Sequence, residues 1–596
     1  MTAEIIAIKE KNIISLPKQL IERFNLKYKK TVHVQFGWHK KEVNIRLLVK
    51  DDNVIELSGN VIEDLNLPEN INYHIKAVDH TIMIGPYIGV YLGKKKQSSQ
   101  RRLNYLSSYV KKYSEVNGVI IGFTIEDLDK ENLLMNGLVY NPLLKIWERK
   151  TLPYPNSIIK RGSIDQKNLE YLYNLYGNKM YNYKKINKWE VHERLEQFSE
   201  VEKHLPKSTL FKNEKNLLDF LKQHQNIYVK PIDGNQGIGI YNIVLNGNEI
   251  LIYTRKKNEN VKLRYAVENL DEFTTSYLKS NKYIMQETLD LKVNNKTSDF
   301  RIGMDKSIDG KWHHNMYITR VGGDESIVSN VASSGGYVQI PSAALAEIYN
   351  LSDKEISIKE KELLDLAYNV AERLDQTGIK LGKLAMDIAV TKDKKVYLIE
   401  VNNTAPNDNI MKLLDDHDTI FKIRNENAKY GKFLAGFSTE DNLIVKLNKE
   451  KEISKENRHY TLLIKVKRDF KTESEKELET IFREAGIKYN HTSKGINISY
   501  KFINNENTVK QIIESINENE NLMKLNKVIE IDKKILRKKS KTKKVNHKEN
   551  KVEKLKRELK EIKLENENLN DELALLKNSK SFKITAPLRK IVNKLK

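Results

Sequence analysis

Cysteine is absent from all 596 residues, which excludes a disulfide framework, a thiolate zinc site and a cysteine nucleophile. No apolar run approaches the length of a membrane-spanning helix. The opening residues, Met1-Thr-Ala-Glu-Ile-Ile6, lack the basic and apolar regions of a signal peptide. These absences fit a reducing interior, and a cytoplasmic location is the expectation. RNA-recognition and zinc-finger patterns are also missing, so the net charge of +23 does not point to specific nucleic-acid binding. Lys533 to Lys551 alone holds ten Lys or Arg against one acidic residue, which supplies +9 of that excess. It reads as a solvated basic linker, with contact to an anionic polymer or membrane surface as the minor reading.

What is present is enough for several cores. A hydrophobic fraction of 39% and a charged fraction of 31% suit a water-soluble protein of about four domains. Three stretches carry the chemistry. The first, Tyr228-Val-Lys-Pro-Ile-Asp-Gly-Asn-Gln-Gly-Ile-Gly-Ile240, is a β-rich run ending in Lys230 and a loop with Gly234, Gly237 and Gly239. Such a loop lets backbone N–H groups approach phosphate oxygens, and Lys230 adds a fixed charge beside them. The second is Asp299-Phe-Arg301, followed by Arg320 and by Asn330 ahead of Gly335-Gly336. Arginine forks match phosphoryl or acyl-phosphate oxygens. The third pairs Ala385-Met-Asp-Ile388 with Val396-Tyr-Leu-Ile-Glu-Val-Asn402. Asp387, Glu400 and Asn402 supply only oxygen ligands, as Mg²⁺ on nucleotide phosphates requires. Glu400 and Asn402, two apart in a strand, point to one face. Singly, each stretch reads as a hairpin turn or a solvated strand end; the ordered set does not.

Together these motifs resemble an ATP-grasp protein between about Lys188 and Asp408. The closest pattern is the branch of ribosomal-protein glutamate ligases and glutathione synthetases, through D-F-R, the later arginine, N-x4-G-G and I-E-V-N. The wider chain is similar to the endospore coat-associated YheC/YheD proteins, whose N-terminal signature appears here as Met83-Ile-Gly-Pro-Tyr-Ile-Gly89. The resemblance implies ATP held between two α+β lobes and a carbon–nitrogen ligase that activates a carboxylate as its acyl phosphate before an amine displaces phosphate. It implies Lys188 and Lys230 on the nucleotide phosphates, and Gln286, Glu287 and Leu289 as the hinge that holds adenine. It also implies Arg301, Arg320 and Asn330 at the transferring group, and Asp387, Glu400 and Asn402 on the metal. Association with the spore coat, the envelope or the inner membrane surface follows from it as well. Two departures put the acceptor in doubt: the third motif ends Asn402-Asn-Thr-Ala-Pro406, and Ala385 stands where some ligases place arginine. A structural coat or envelope protein with vestigial nucleotide binding, and a phosphotransferase acting on a hydroxyl, are the rival readings.

Seven segments are expected, four of them globular domains. Residues 1–95 repeat at an offset of 41: Ile13-Ile-Ser-Leu16, Leu20-Ile21 and Phe24-Asn-Leu26 recur as Val54-Ile-Glu-Leu57, Val61-Ile62 and Leu65-Asn-Leu67. Each copy reads as strand, short helix, turn and strand (31–36 and 72–78), a duplicated small β-barrel. Residues 96–180 read as an α/β domain preceding the ATP-grasp pair, with a helix near Arg101–Tyr113 and a strand at 118–123; Trp147 and Tyr154 are packing residues or substrate contacts in equal measure. The catalytic domain spans 181–435. Residues 455–531 read β-α-β-α-β, a ferredoxin-like accessory module with one strand unplaced. The basic linker, 532–551, leads to a coiled coil at 552–577, with Val552, Leu555, Leu559, Ile562, Asn566, Leu569, Leu573 and Leu576 on one seam. Asparagine at an a position favours a parallel pair, hence a homodimer. Residues 578–596 form a basic amphipathic tail, with a weak membrane-surface contact or a plain basic end as its two readings.

Overall fold

The computed structural model describes residues 2–534, apart from 28, 50–52, 95–104, 184, 235–238, 257–258, 323–335, 405, 442, 449–458, 468–472, 488–489, 495–496, 505–510, 513–514 and 516–527. Most of the basic linker, the coiled coil and the tail therefore lie outside the described residues, as do Gly237 and Asn330.

The sequence repeat builds most of a closed eight-stranded barrel. Its equivalent strands, Ile13–Pro17 and Val54–Ser58, pair antiparallel, and each is followed by a six-residue helix. Alternate residues of the strand Thr31–Phe36 (Val32, Val34, Phe36) enter the barrel core, the period of two that the sequence shows. The barrel is not closed by residues 1–95 alone. Its eighth strand is Ile444–Asn448, inserted between Thr2–Ile8 and Asn72–Val78.

The Met83–Gly89 signature marks where the chain leaves the barrel. Thr81–Gly85 is the last barrel strand of this region and Tyr87–Tyr91 the first strand of the next sheet. Gly85 is required there, because the Phe437 ring lies 2.7 Å from where a Cβ would stand. The new sheet runs Ser157–Ile159, Tyr87–Tyr91, Val119–Phe123, Leu134–Asn141 and Ile146–Pro153. The expected helix at 101–113 is borne out at 105–107, but residues 108–112 are turns and a bend ahead of a four-residue helix, Tyr113–Val116. The Ser108 hydroxyl donates to the Tyr105 carbonyl at 2.5 Å, and the backbone bonds of Ser108, Tyr109 and Val110 reach back three residues rather than four. Serine side chains compete with a helix in this way.

The sheet continues without a break into Val528–Lys534, His459–Lys467, Asn497–Asn504 and Asn490–Lys494. The strand left unplaced by the sequence is Asn490–Lys494, and this segment extends the α/β sheet rather than forming a separate one.

Two further sheets frame the middle of the chain. One carries Asn226–Pro231 and Tyr283–Glu287. The other runs Tyr337–Gln339, Trp312–Val321, Lys296–Lys306, Lys383–Val390 and Val396–Asn402. Behind the second lies the 24-residue helix Asp353–Gln376, started by a reciprocal Ser352–Glu355 capping box. It buries Ile356, Leu363, Leu366, Val370 and Leu374 at helical spacing. Each such side chain contributes about 1.5–3 kcal/mol by leaving water, which leaves the opposite face of the sheet to carry polar groups.

Candidate functional site

That opposite face is organised in cross-strand rows. Arg320 stands opposite Asp299, Arg301 opposite Asp387, Asp387 opposite Glu400, and Ala385 opposite Asn402. Residues directly opposite one another share a face, so four separate sequence stretches meet there. Arg301 grips Asp387 through two bonds, Nε to Oδ1 and Nη2 to Oδ2, both 2.8 Å. Arg320 grips Asp299 in the same forked manner at 2.7 Å and reaches Asp387 Oδ2 at 2.9 Å. Burial works against the charge of Asp387, but Arg320 and Arg301 outweigh it and hold the carboxyl below its ordinary range. Burial, opposed by Arg320 and reinforced by the Asp387 charge, pushes Asp299 up to about 6. Both guanidinium groups are thereby locked in orientation.

A cleft lies beside Glu400, between the strand Val396–Asn402 and the other sheet. Its walls include Val191, Leu205, Ile284 and Leu398, an apolar slot suited to a flat base, with Lys188, Lys230, Gln286 and Glu400 as polar groups. Lys188 begins the helix Lys188–Leu195, capped by Asn187. Its Nζ donates to the Gly234 carbonyl at 2.8 Å and pairs with Glu400 Oε1 at 2.9 Å. Lys230 ends a strand, and its Nζ donates to Gln286 Oε1 at 2.7 Å. Burial, with the nearby Lys188 charge, lowers Lys230 to about 8, although Glu400 opposes the shift. Gly239 has φ +73°, a conformation open to glycine at little cost.

The structure thus brings together Lys188, Lys230, Gly234, Gln286, Arg301, Arg320, Asp387, Glu400 and Asn402. Glu287 and Leu289 do not line the cleft; Glu287 is bonded through Oε1 to the Lys207 backbone at 2.7 Å. His192 and Leu398 were missed by the sequence reading. The signal for His192 was available, since it lies four residues beyond Lys188 on the helix; Leu398 stands opposite Ile388 across a register shift, so alternation from Glu400 does not mark it. Burial first, then Lys207, keeps His192 below its ordinary range.

A divalent cation suits the donor set. The three oxygen-bearing groups are adjacent across two strands, and Asp387 and Glu400 are already paired with cationic side chains. Asn402 Nδ2 is buried without a hydrogen-bond partner; the atom a cation would take is the amide oxygen. Among the described residues, no cluster of three His, Cys, Asp or Glu offers another metal site.

Residues 177–434 match the family model described as YheC/D like ATP-grasp. The chain is similar to the endospore coat-associated protein YheD of Bacillus subtilis (strain 168), 25% identical over 397 residues, covering 64% of this chain and 85% of the relative. It is also similar to YheC of the same organism, 22% identical over 334 residues, covering 54% of this chain and 90% of the relative. Among solved structures it is similar to N5-carboxyaminoimidazole ribonucleotide synthetase from Thermotoga maritima, with a TM-score of 0.33 and 11% identity over 74% of this chain and 99% of that one.

Proposed function

Because residues 177–434 are a YheC/D-like ATP-grasp domain, we propose that the protein is an ATP- and Mg²⁺-dependent carboxylate–amine ligase. The observation that carries this is the aligned row Arg301–Asp387–Glu400, with Arg320 beside it, whose Glu400 lines a cleft together with Lys188 and Lys230. The apolar slot takes the adenine. Lys188, Lys230 and the backbone of the glycine-rich loop take the phosphates. Mg²⁺, held by Asp387, Glu400 and Asn402, supplies charge neutralisation on those phosphates.

Arg301 and Arg320 flank the γ-phosphoryl group as it moves. A substrate carboxylate oxygen attacks the γ-phosphorus, the bond to the β-phosphate oxygen breaks, and ADP and an acyl phosphate result. An amine then attacks the acyl carbon; inorganic phosphate departs with the bonding pair and the amine loses a proton. The arginines are held in place by Asp299 and Asp387 before substrate arrives, so little reorganisation is needed as charge shifts.

The description of the relatives as endospore coat-associated directs the acceptor search to coat and envelope polymers. Incubation with ATP, Mg²⁺ and pooled amino acids, peptides, sugars and cell-wall fragments tests the reading by phosphate release and product mass. A new amide accompanied by ADP and phosphate supports it. A phosphorylated hydroxyl product, or no nucleotide binding at all, overturns it.

A further inference from the structure

The second asparagine of Asn402-Asn403 has no role in the site described above, yet it is 4% exposed. Its amide pairs with the main chain of Ile186 in both directions. Ile186 N–H donates to Asn403 Oδ1 at 3.1 Å, and Asn403 Nδ2 donates to the Ile186 carbonyl at 2.8 Å. This is the two-bond exchange of neighbouring antiparallel strands, made here by a side chain. Asn182 completes the arrangement. Its φ of 52° lies in the left-handed region where asparagine is enriched. Its Nδ2 donates to the carbonyls of Asn403 (2.5 Å) and Lys383 (2.7 Å), and its Oδ1 accepts from the N–H groups of Gly382 (2.8 Å) and Lys383 (3.2 Å). That is the full capacity of a primary amide.

Ile186 precedes Lys188 by two residues, and from there the segment reaches the other lobe. Lys188 N–H donates to the Ile232 carbonyl at 3.1 Å, and its Nζ donates to the Gly234 carbonyl at 2.8 Å. Three consecutive residues are therefore bonded at one end to the residue that follows the strand carrying Glu400 and Asn402, and at the other to Ile232 and Gly234.

We propose that Asn403, supported by Asn182, is a positioning residue for the nucleotide site. It fixes segment 186–188 against the strand that carries Glu400 and, through Lys188, sets where Ile232 and Gly234 stand relative to Glu400. The identity of the ligand rests on the ligase reading; the clip itself does not. A clip that served stability alone would lower the melting temperature and leave nucleotide affinity in the folded protein unchanged.

The test uses the full chain with Asn403→Ala and Asn403→Asp, measuring Mg-ATP affinity by calorimetry and amide exchange in the nucleotide-free protein. Asn403→Ala removes two hydrogen bonds, and Mg-ATP affinity is expected to fall about ten-fold. Exchange at 186–188 should quicken. Asn403→Asp keeps the acceptor for Ile186 N–H but sets a carboxylate oxygen against the Ile186 carbonyl. With that pair repelling, affinity should fall at least as far as in Asn403→Ala. Wild-type affinity in both folded variants overturns the proposal, as does weakened binding with unchanged exchange at 186–188. Wild-type protein that binds no Mg-ATP overturns the ligase reading instead, and the exchange data then judge the clip alone. Should Asn403→Ala not fold, Asn403→Asp carries the test.

Discussion

Lys230 offers the sharpest test of how nucleotide is held. Burial lowers its pKa to about 8 in the ligand-free protein, so at pH 8 about half the molecules carry a neutral amine there. Phosphate oxygens arriving beside it favour the charged form and restore a pKa near the ordinary 10.4. Binding must then take up protons: about 0.1 per nucleotide at pH 7, about 0.5 at pH 8 and about 0.9 at pH 9. Apparent affinity should fall about ten-fold between pH 7 and pH 9, which is about 1.4 kcal/mol. Calorimetry in buffers of different ionisation enthalpy reads the proton count directly. Lys230→Arg, which keeps the charge without titrating in this range, should flatten both curves. Lys230→Ala should flatten them too while losing about ten- to a hundred-fold in affinity at pH 7, the value of a charge-assisted contact. Proton uptake that stays near zero at pH 9, or wild-type affinity in Lys230→Ala, would refute the placement of phosphates on this side chain. The free protein gives an independent check of sign. A lysine whose folded pKa lies below its unfolded value binds fewer protons when folded, so its contribution to stability rises as pH climbs from about 8 towards 10.4.

Glu400→Gln and Asn402→Ala should each abolish phosphate release at saturating Mg²⁺ without shifting the melting curve; undiminished rates would defeat the metal assignment. Asp387→Ala leaves Arg301 and Arg320 without their shared carboxylate and should cost about 3–5 kcal/mol of stability, read as the urea midpoint, with a wild-type midpoint contradicting the buried pairing. Truncation after Lys551 should convert a homodimer to monomers and leave nucleotide binding in place, because the apolar seam of 552–577 needs a partner to cover it. A full-length chain that scatters light as a monomer at tens of micromolar would rule out the pairing.

The polar face was legible because it follows the simplest rule in the chain. Asp387, Glu400 and Asn402 sit on strands, where a period of two fixes which side chains share a face, and the arginines come from the same strand pattern. Leu398 escaped that rule, because a register shift between Asp387 and Ile388 sets it opposite Ile388. Asn182 and Asn403 were not legible, because a side chain bonding to distant main chain leaves no periodic trace. The barrel was half legible for a similar reason. Its internal repeat announces two equivalent units, but nothing local marks Ile444–Asn448 as the strand that completes them. The broken helix around Ser108 shows the opposite error, in which apolar spacing suits a helix while a serine hydroxyl takes the carbonyl that the helix needs.

The late arrival of the barrel's closing strand has a consequence for synthesis. A ribosome adding about 5–20 residues per second takes roughly tens of seconds to travel from the first barrel strands to residue 444. Throughout that interval Thr2–Ile8 and Asn72–Val78 wait with unpaired edges, the kind of template on which nascent chains join one another. The same dependence governs how the gene can be divided. A clone ending before Ile444 deprives the barrel of its gap-filling strand, and a clone beginning after the barrel leaves Ile444–Asn448 without neighbours. The N-terminal barrel and the segment at 444–448 therefore depend on one another for their pairing.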